Sequence, residues 1–443
     1  MSQQKTKENR DVFRSKMGFV VACIGSAVGM GNIWMFPYRA GKFGGAAFLI
    51  PYFIFILVLG FSGVIGEMAF GRSVKTGPMG AFSYAMESRK WRGGKLIGLI
   101  PVLGSLAIAI GYSVVVGWFL KYLAAAVSGS LLKVEDMNAY FGELGSSFGS
   151  IGWHMAGLII TFAIMLLGVS KGIEKMNKLM MPVFFVFFLI LMVRVFTLPG
   201  ASEGYRYLFV PRWEELLNPR TWVYALGQAF FSLSLAGSGT IVYGSYLKKD
   251  VDVVSCARNV AFFDTCAAIL AGMVVIPAVF AFGLDVSAGP PLMFITLPAV
   301  FQEMPFGALF SVIFFIAVIF AAITSLMNLF ETPIEALQQQ LKLSRGAAVA
   351  VVAAAAAAVG IFIESADAVS AWMDVVSIYI IPLGALLAAV MFFWVCPKGY
   401  AREQVQTGRK KKLGRWFEPC TRYVFVGLTL AVYVLGILMG GIG

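Results

Sequence analysis

Two glycine-rich interruptions carry the chemistry of this chain. Gly29, Met30 and Gly31 fall near the middle of one long apolar run, and Ala236, Gly237, Ser238 and Gly239 fall in another, just after GQAFFSLSL. A helix broken at such a place leaves backbone carbonyls without partners on one side and amide N–H groups on the other. Amides at a half-helix N-terminus can hold a carboxylate, and the carbonyls with nearby hydroxyls can hold an ammonium or a hard cation. A pocket built this way suits a zwitterion. Asp264 adds an ionisable side chain inside an apolar helix, a costly placement that makes it a functional candidate. Glu67, in GEMAFGR, is a second such carboxylate and is read as an acceptor for freed backbone amides.

The elements that position these groups follow from composition. The chain has 443 residues, 59% of them hydrophobic and 13% charged, with a mean hydropathy of +0.83, which excludes an ordinary soluble domain and describes a polytopic membrane protein. A bilayer core takes about 20 apolar residues per helix. Eleven such runs are found, near 16–40, 46–71, 96–127, 153–170, 178–198, 221–246, 256–283, 305–340, 346–363, 371–396 and 420–441. The first run follows a charged stretch (Arg10, Asp11, Arg14, Lys16), passes signal-peptide length without an A-x-A site, and is read as a retained span.

Charge placement sets the expected orientation. Of the 35 lysines and arginines, 26 fall in the N-terminal segment and in the loops on its side of the membrane. The N-terminus is therefore expected in the cytoplasm and, with an odd number of spans, the C-terminus outside. The net charge of +12 needs no nucleic-acid partner, and Arg409 to Lys412 (RKKK) is read as a topology determinant rather than a site for anionic membrane lipids. The five cysteines show no metal or pairing pattern and are read as small core residues, and the single histidine, His154, is expected at an outer helix edge in a surface role.

Broken spans five helices apart point to an inverted-repeat transporter with its site at the midplane. A channel would need a repeated filter or rings of charge, and a membrane enzyme would need a catalytic constellation; neither pattern is present in the sequence.

The motifs carry a more specific likeness. GSAVGMGNIWMFP in the first span, GGAAFLIPY and GEMAFGR in the second, Tyr112, SKGIEKMNK, GQAFFSLSL, AAITSLMN and LKLSR are collinear and cover nearly the whole chain. In these the sequence resembles the neurotransmitter:sodium symporter family, in its eleven-helix bacterial amino-acid transporter branch. The resemblance implies an all-α membrane fold of two inverted five-helix repeats, not an enzyme. Its parts would be a cytoplasmic N-terminal segment (1–15), a first repeat (16–200), a second repeat (201–396), a basic cytoplasmic loop (397–419) and an eleventh helix (420–443). It also implies a bacterial inner-membrane location, an amino-acid substrate and a monomer or weak homodimer.

Two sodium ions are implied. The first would be held by the Ala27 carbonyl, Asn32, Ser232 and Asp264 with the substrate's carboxylate, and the second by the carbonyls of Gly25, Val28 and Ala321 with the hydroxyls of Thr324 and Ser325. Taken alone, Thr324-Ser325 would be a packing or back-bonding pair. The resemblance also places Met30, Gly31 and Tyr112 on the substrate carboxylate and the carbonyls of Ala27, Phe231 and Ser232 with the Ser234 hydroxyl on its amine. Ile108, Phe231, Gly237, Ser325 and Leu329 would line the side-chain pocket, with Gly237 leaving room for a large aliphatic or aromatic group. Because Asp264 stands where many members have asparagine and use chloride, and Ala268 offers no hydroxyl, chloride is not expected to be required.

Gates depart from the family pattern. The usual outer arginine is Met35, so an ion pair with Asp374 cannot form in the usual way; Arg10 keeps its inner place, but its expected partner is Gln339 and the neighbouring tryptophan is Phe13. Closure would rest on Phe231, Tyr112 and apolar contact. The expected mechanism is sodium-driven symport by alternating access, with spans 1, 2, 6 and 7 rocking against 3, 4, 8 and 9. An amino-acid sensor on the same fold and a proton-coupled transporter are the alternatives.

Overall fold

In the computed structural model, residues 12–285 and 292–442 are described, and among them every regular element is a helix. Thirteen helices run through the body of the molecule. The first pair, α1 (Lys16–Ala27) and α2 (Gly31–Lys42), meets at a 50° bend. Next come α3 (Ala46–Val74), α4 (Gly94–Val127), α5 (Ile151–Leu166) and α6 (Val169–Phe196). A second interrupted pair is formed by α7 (Pro219–Ser232) and α8 (Gly239–Ser245). The remainder are α9 (Val253–Ala281), α10 (Gly307–Gln340), α11 (Arg345–Ile363), α12 (Ala366–Val395) and α13 (Phe417–Met439). Eight of these are long and apolar enough to cross a membrane, and the bent α1–α2 pair makes a ninth. With the shorter α5 and the α7–α8 pair, the arrangement is consistent with eleven spans.

Burial separates the centre from the rim. In α4 and α10, each 34 residues long, 72% and 67% of the apolar window is buried, against 28% in α11 and in α13. The central pair therefore packs on protein, while α11 and α13 turn most of their apolar surface outward. Close approach comes from glycine. Gly117 of α4 faces the backbone of His154 on α5, where a Cβ would come within 2.6 Å of the His154 nitrogen.

His154 is the clear departure from the expected surface position. It is fully buried among α4, α5 and α11, with Nδ1 2.9 Å from Glu364 Oε1 and Nε2 2.9 Å from Ser113 Oγ. Ser150 Oγ also donates to Glu364, at 3.2 Å. A histidine at a helix end can be buried when a carboxylate distant in sequence satisfies its ring, and that partner, in the turn between α11 and α12, lies 210 positions away.

The base of α1 is clamped by α6. Glu174, 1% exposed, accepts from the backbone N–H of Arg14 at 2.8 Å and from Ser15 Oγ at 3.2 Å, and forms an ion pair with Lys178 at 2.6 Å. A carboxylate at a helix N-terminus both satisfies orphan donors and complements the dipole.

Candidate functional site

The α1–α2 break is made by diverting three amide groups. Gly29 N donates to its neighbour Asn32 Oδ1 at 3.1 Å, Met30 N donates to the Tyr112 hydroxyl at 3.0 Å, and Asn32 N turns to Gly29 O at 3.1 Å. The carbonyls of Gly25, Ser26 and Val28 thereby lose their usual i+4 donors. All three converge on Ser325 Oγ of α10, at 3.2, 3.2 and 3.3 Å. One hydroxyl proton cannot serve three carbonyls, so this spot is rich in oxygen lone pairs and poor in donors. Thr324 Oγ1 bonds back to Phe320 and Ala321 carbonyls at 3.0 Å each, so the Ala321 oxygen is drawn into the same neighbourhood. Gly25, Val28, Ala321, Thr324 and Ser325 are thus brought together.

The second break spans Leu233 to Ser238, with Ser234 at φ 53° and Gly237 at φ 66°. Ser234 Oγ donates to Ser26 O at 3.0 Å, which joins the two breaks directly. Glu67 of α3 accepts from Gly237 N at 2.9 Å, so this carboxylate takes an amide released by the break.

Asp264 lies beside them, fully buried. Its Oδ1 accepts from Asn32 Nδ2 at 2.7 Å and its Oδ2 from Ser232 Oγ at 2.8 Å; Asn32 Nδ2 is also 3.1 Å from Ser232 Oγ. Asn32, Ser232 and Asp264 therefore form one polar knot linking α2, α7 and α9. Asn32 presents its nitrogen to the carboxylate here, so an ion seated among these groups would require its amide to turn.

A cavity of about 660 Å³, its mouth included, opens between the breaks and α4, α10 and α12. Its polar end holds Ser26, Gly29, Met30, Tyr112 and Ser325, and its apolar wall holds Ile108, Phe231, Leu329 and Ile381. Ala27, Gly31 and Ser234 also line it. Gly237 does not line it, contrary to the expectation from sequence. Its left-handed backbone turns it toward α12, where a Cβ would strike the Gly384 carbonyl and approach Ala388 Cβ to 2.9 Å. Glycine stands there for φ and close packing, and the small residue facing the cavity is Ala236.

Sequence reasoning placed Ala236 and Ser238 in the second break and Asn328 near the second ion without assigning them to the cavity, and it missed Ile381. Ser238 Oγ and Asn328 Nδ2 are buried and have no hydrogen-bond partner among the described residues, which leaves polar capacity at the cavity wall. Asn328 is one turn past Thr324 and was legible on that ground; nothing local marks Ile381.

The gate residues divide. Phe13 is buried edge-on against Phe19, Tyr243 and Tyr246, with centroids 5.4, 5.5 and 6.2 Å away. Asp374 is exposed and forms no ion pair among the described residues, and Arg10 lies outside them. A different pair ties the foot of α10: Arg345 of α11 grips Glu331 with both nitrogens, at 2.9 and 2.8 Å, and Tyr246 OH donates to the same carboxylate at 2.7 Å.

Comparison with known proteins decides the family. The model of the sodium:neurotransmitter symporter family matches residues 10–143 and 132–440. The chain belongs to that family. Its members are sodium-dependent membrane transporters, not enzymes. An uncharacterized sodium-dependent transporter YhdH of Bacillus subtilis is 38% identical over 336 residues, 75% of this chain and 72% of its own. The human sodium-dependent neutral amino acid transporter SLC6A17 is 29% identical over 308 residues, 62% of this chain and 41% of its own. Among solved structures, the crystal structure of MhsT in complex with L-phenylalanine superposes with a TM-score of 0.87 at 33% identity, covering 96% of this chain and all of that one.

Proposed function

We propose that this member couples two sodium ions to the uptake of large hydrophobic amino acids, aliphatic or aromatic. The observation that carries this reading is the cavity's two-ended character. The Met30 amide and Tyr112 hydroxyl at one end suit an α-carboxylate, while Ile108, Phe231, Leu329 and Ile381 suit an apolar side chain. The Ser234 hydroxyl and the carbonyls of Ala27, Phe231 and Ser232 would take the amine. That MhsT was crystallised with L-phenylalanine supports the same class.

The first ion would sit at Ala27, Asn32, Ser232 and Asp264, touching the substrate carboxylate, so that each improves binding of the other. The second would sit at Gly25, Val28, Ala321, Thr324 and Ser325. Asp264 supplies a permanent negative charge, which makes chloride unnecessary. Each sodium entering down the membrane potential contributes about 2.3 kcal/mol per 100 mV. The positive-inside bias supports an N-terminus in the cytoplasm and a C-terminus outside a bacterial inner membrane. The two five-helix repeats, 16–200 and 201–396, would frame the site.

The test is uptake of labelled phenylalanine into proteoliposomes under an inward sodium gradient, with unlabelled amino acids as competitors. Tryptophan, phenylalanine and leucine should displace label better than glycine or alanine, and uptake should vanish in potassium. Binding without counterflow would instead describe a sensor. Equal competition by glycine would remove the substrate assignment.

A further inference from the structure

Asn177 lies on α6, fully buried, and is not among the residues assigned above to substrate or ion. Its Nδ2 donates to Ile173 O, one turn back, at 2.8 Å. That bond sets the amide's orientation and leaves Oδ1 facing α1. There the oxygen presses on Gly25: a Cβ at Gly25 would collide with Oδ1, and the same Cβ would stand 3.0 Å from Thr324 Cβ. Oδ1 therefore borders the gap between Gly25 and Thr324, two of the residues around the donor-poor cluster at Ser325. It is buried and has no hydrogen-bond partner among the described residues.

A buried amide oxygen without a donor is unsatisfied unless water or a cation meets it. Amide oxygens are hard ligands of the kind that replace the hydration shell of such a cation. We propose that Asn177 completes the oxygen shell of the cation held between α1 and α10, adding a ligand from a third element, α6. The inference rests on the second-ion reading given above. It also explains why position 25 is glycine, because any side chain there would displace the Asn177 oxygen. A shell shared by three elements ties α6 to the broken span only while the ion is present. Removing one oxygen from it should weaken sodium more than lithium, since the smaller ion is content with fewer ligands.

The experiment uses the purified full-length protein and follows thermal stabilisation against sodium chloride and lithium chloride, with phenylalanine binding at saturating sodium as a second readout. Asn177→Leu should raise the half-saturating sodium concentration about tenfold, which corresponds to about 1.4 kcal/mol, and lower the sodium-to-lithium preference. Gly25→Ala should reproduce the Asn177→Leu effect by displacing the oxygen, and Asn177→Ala carries the same expectation should the leucine variant fail to fold. A sodium-responsive wild type whose titration and ion preference are unmoved in Asn177→Leu overturns the assignment. A wild type indifferent to sodium overturns the second-ion reading and this inference with it.

Discussion

Replacing Asp264 by asparagine removes a charge and almost no volume, so its consequences are electrostatic. In the wild type both carboxylate oxygens accept hydrogen bonds, from Asn32 at 2.7 Å and Ser232 at 2.8 Å. Hydrogen bonds to a charged acceptor contribute about 1.5–3 kcal/mol against about 0.5–1.5 for neutral ones, so the substitution loses roughly 2 kcal/mol from that pair. Against this, a buried carboxylate without a counter-charge carries a desolvation penalty of several kcal/mol. The sodium-free variant should therefore melt no lower than the wild type. With sodium present the balance reverses. Unit charges about 4 Å apart at an effective dielectric of about 20 attract by about 4 kcal/mol, and losing half of that weakens sodium binding about 30-fold. The assay is the melting temperature of the purified protein against sodium concentration, at saturating phenylalanine, with chloride or gluconate as the anion. The wild type should give the same curve in both anions. The reasoning is refuted by an Asp264→Asn variant whose sodium midpoint is unchanged, or by wild-type uptake that collapses in gluconate.

Other substitutions separate binding from scaffolding. Tyr112→Phe leaves the Met30 amide without its partner at 3.0 Å; amino-acid affinity should fall by about 1–3 kcal/mol in a radioligand assay, with sodium stabilisation retained. Gly237→Ala should lower the melting temperature, because φ is 66° and the new Cβ meets the Gly384 carbonyl, while the order of preference among amino acids stays the same. Ala236→Leu, on the cavity wall, should instead shift competition from phenylalanine toward smaller amino acids. Arg345→Met strands the Glu331 carboxylate, which is fully buried, and should cost about 3–5 kcal/mol of stability, with most of it recovered when Glu331→Met is added.

The spans were legible from hydropathy, and the breaks because glycine-rich interruptions recur in corresponding positions of two spans five helices apart. Most helix ends moved by only a few residues, as in 96–127 against Gly94–Val127, but the run read as 178–198 begins at Val169. Asp264 was visible as an ionisable residue in an apolar helix, Asn32 and Ser232 were implied only by the family resemblance, and the three do meet. What failed was anything that depended on which way a side chain or a kinked backbone turns. Gly237 was read as an empty place in the pocket, yet left-handed geometry points it at α12. His154 was read from its position at a helix end, without sight of Glu364. The Glu331–Arg345 pair was beyond reach because Glu331 could have faced the pathway or the scaffold with the same local pattern. Asn177 sat inside a recognised motif but gave no sign of which partner its oxygen lacked.

The distribution of hydrogen bonds suggests how one structure could move as two bodies. The broken helices are stitched to each other and to α3 and α9: Ser234 to Ser26, Gln228 Nε2 to Gly31 O at 2.8 Å, Asn32 to Ser232 and Asp264, and Gly237 to Glu67. Contacts from the breaks to the central pair α4 and α10 are of another kind. They run through the Tyr112 hydroxyl on the Met30 amide and the Ser325 hydroxyl on three carbonyls. Those are the groups a substrate carboxylate and a cation would contest. A bundle held together by its own side chains, and held to its scaffold partly through ligand positions, changes that part of its attachment whenever those positions fill or empty. On the proposed function, substrate and ion would bias the same equilibrium, and the coupling between them would need no further connection through the protein.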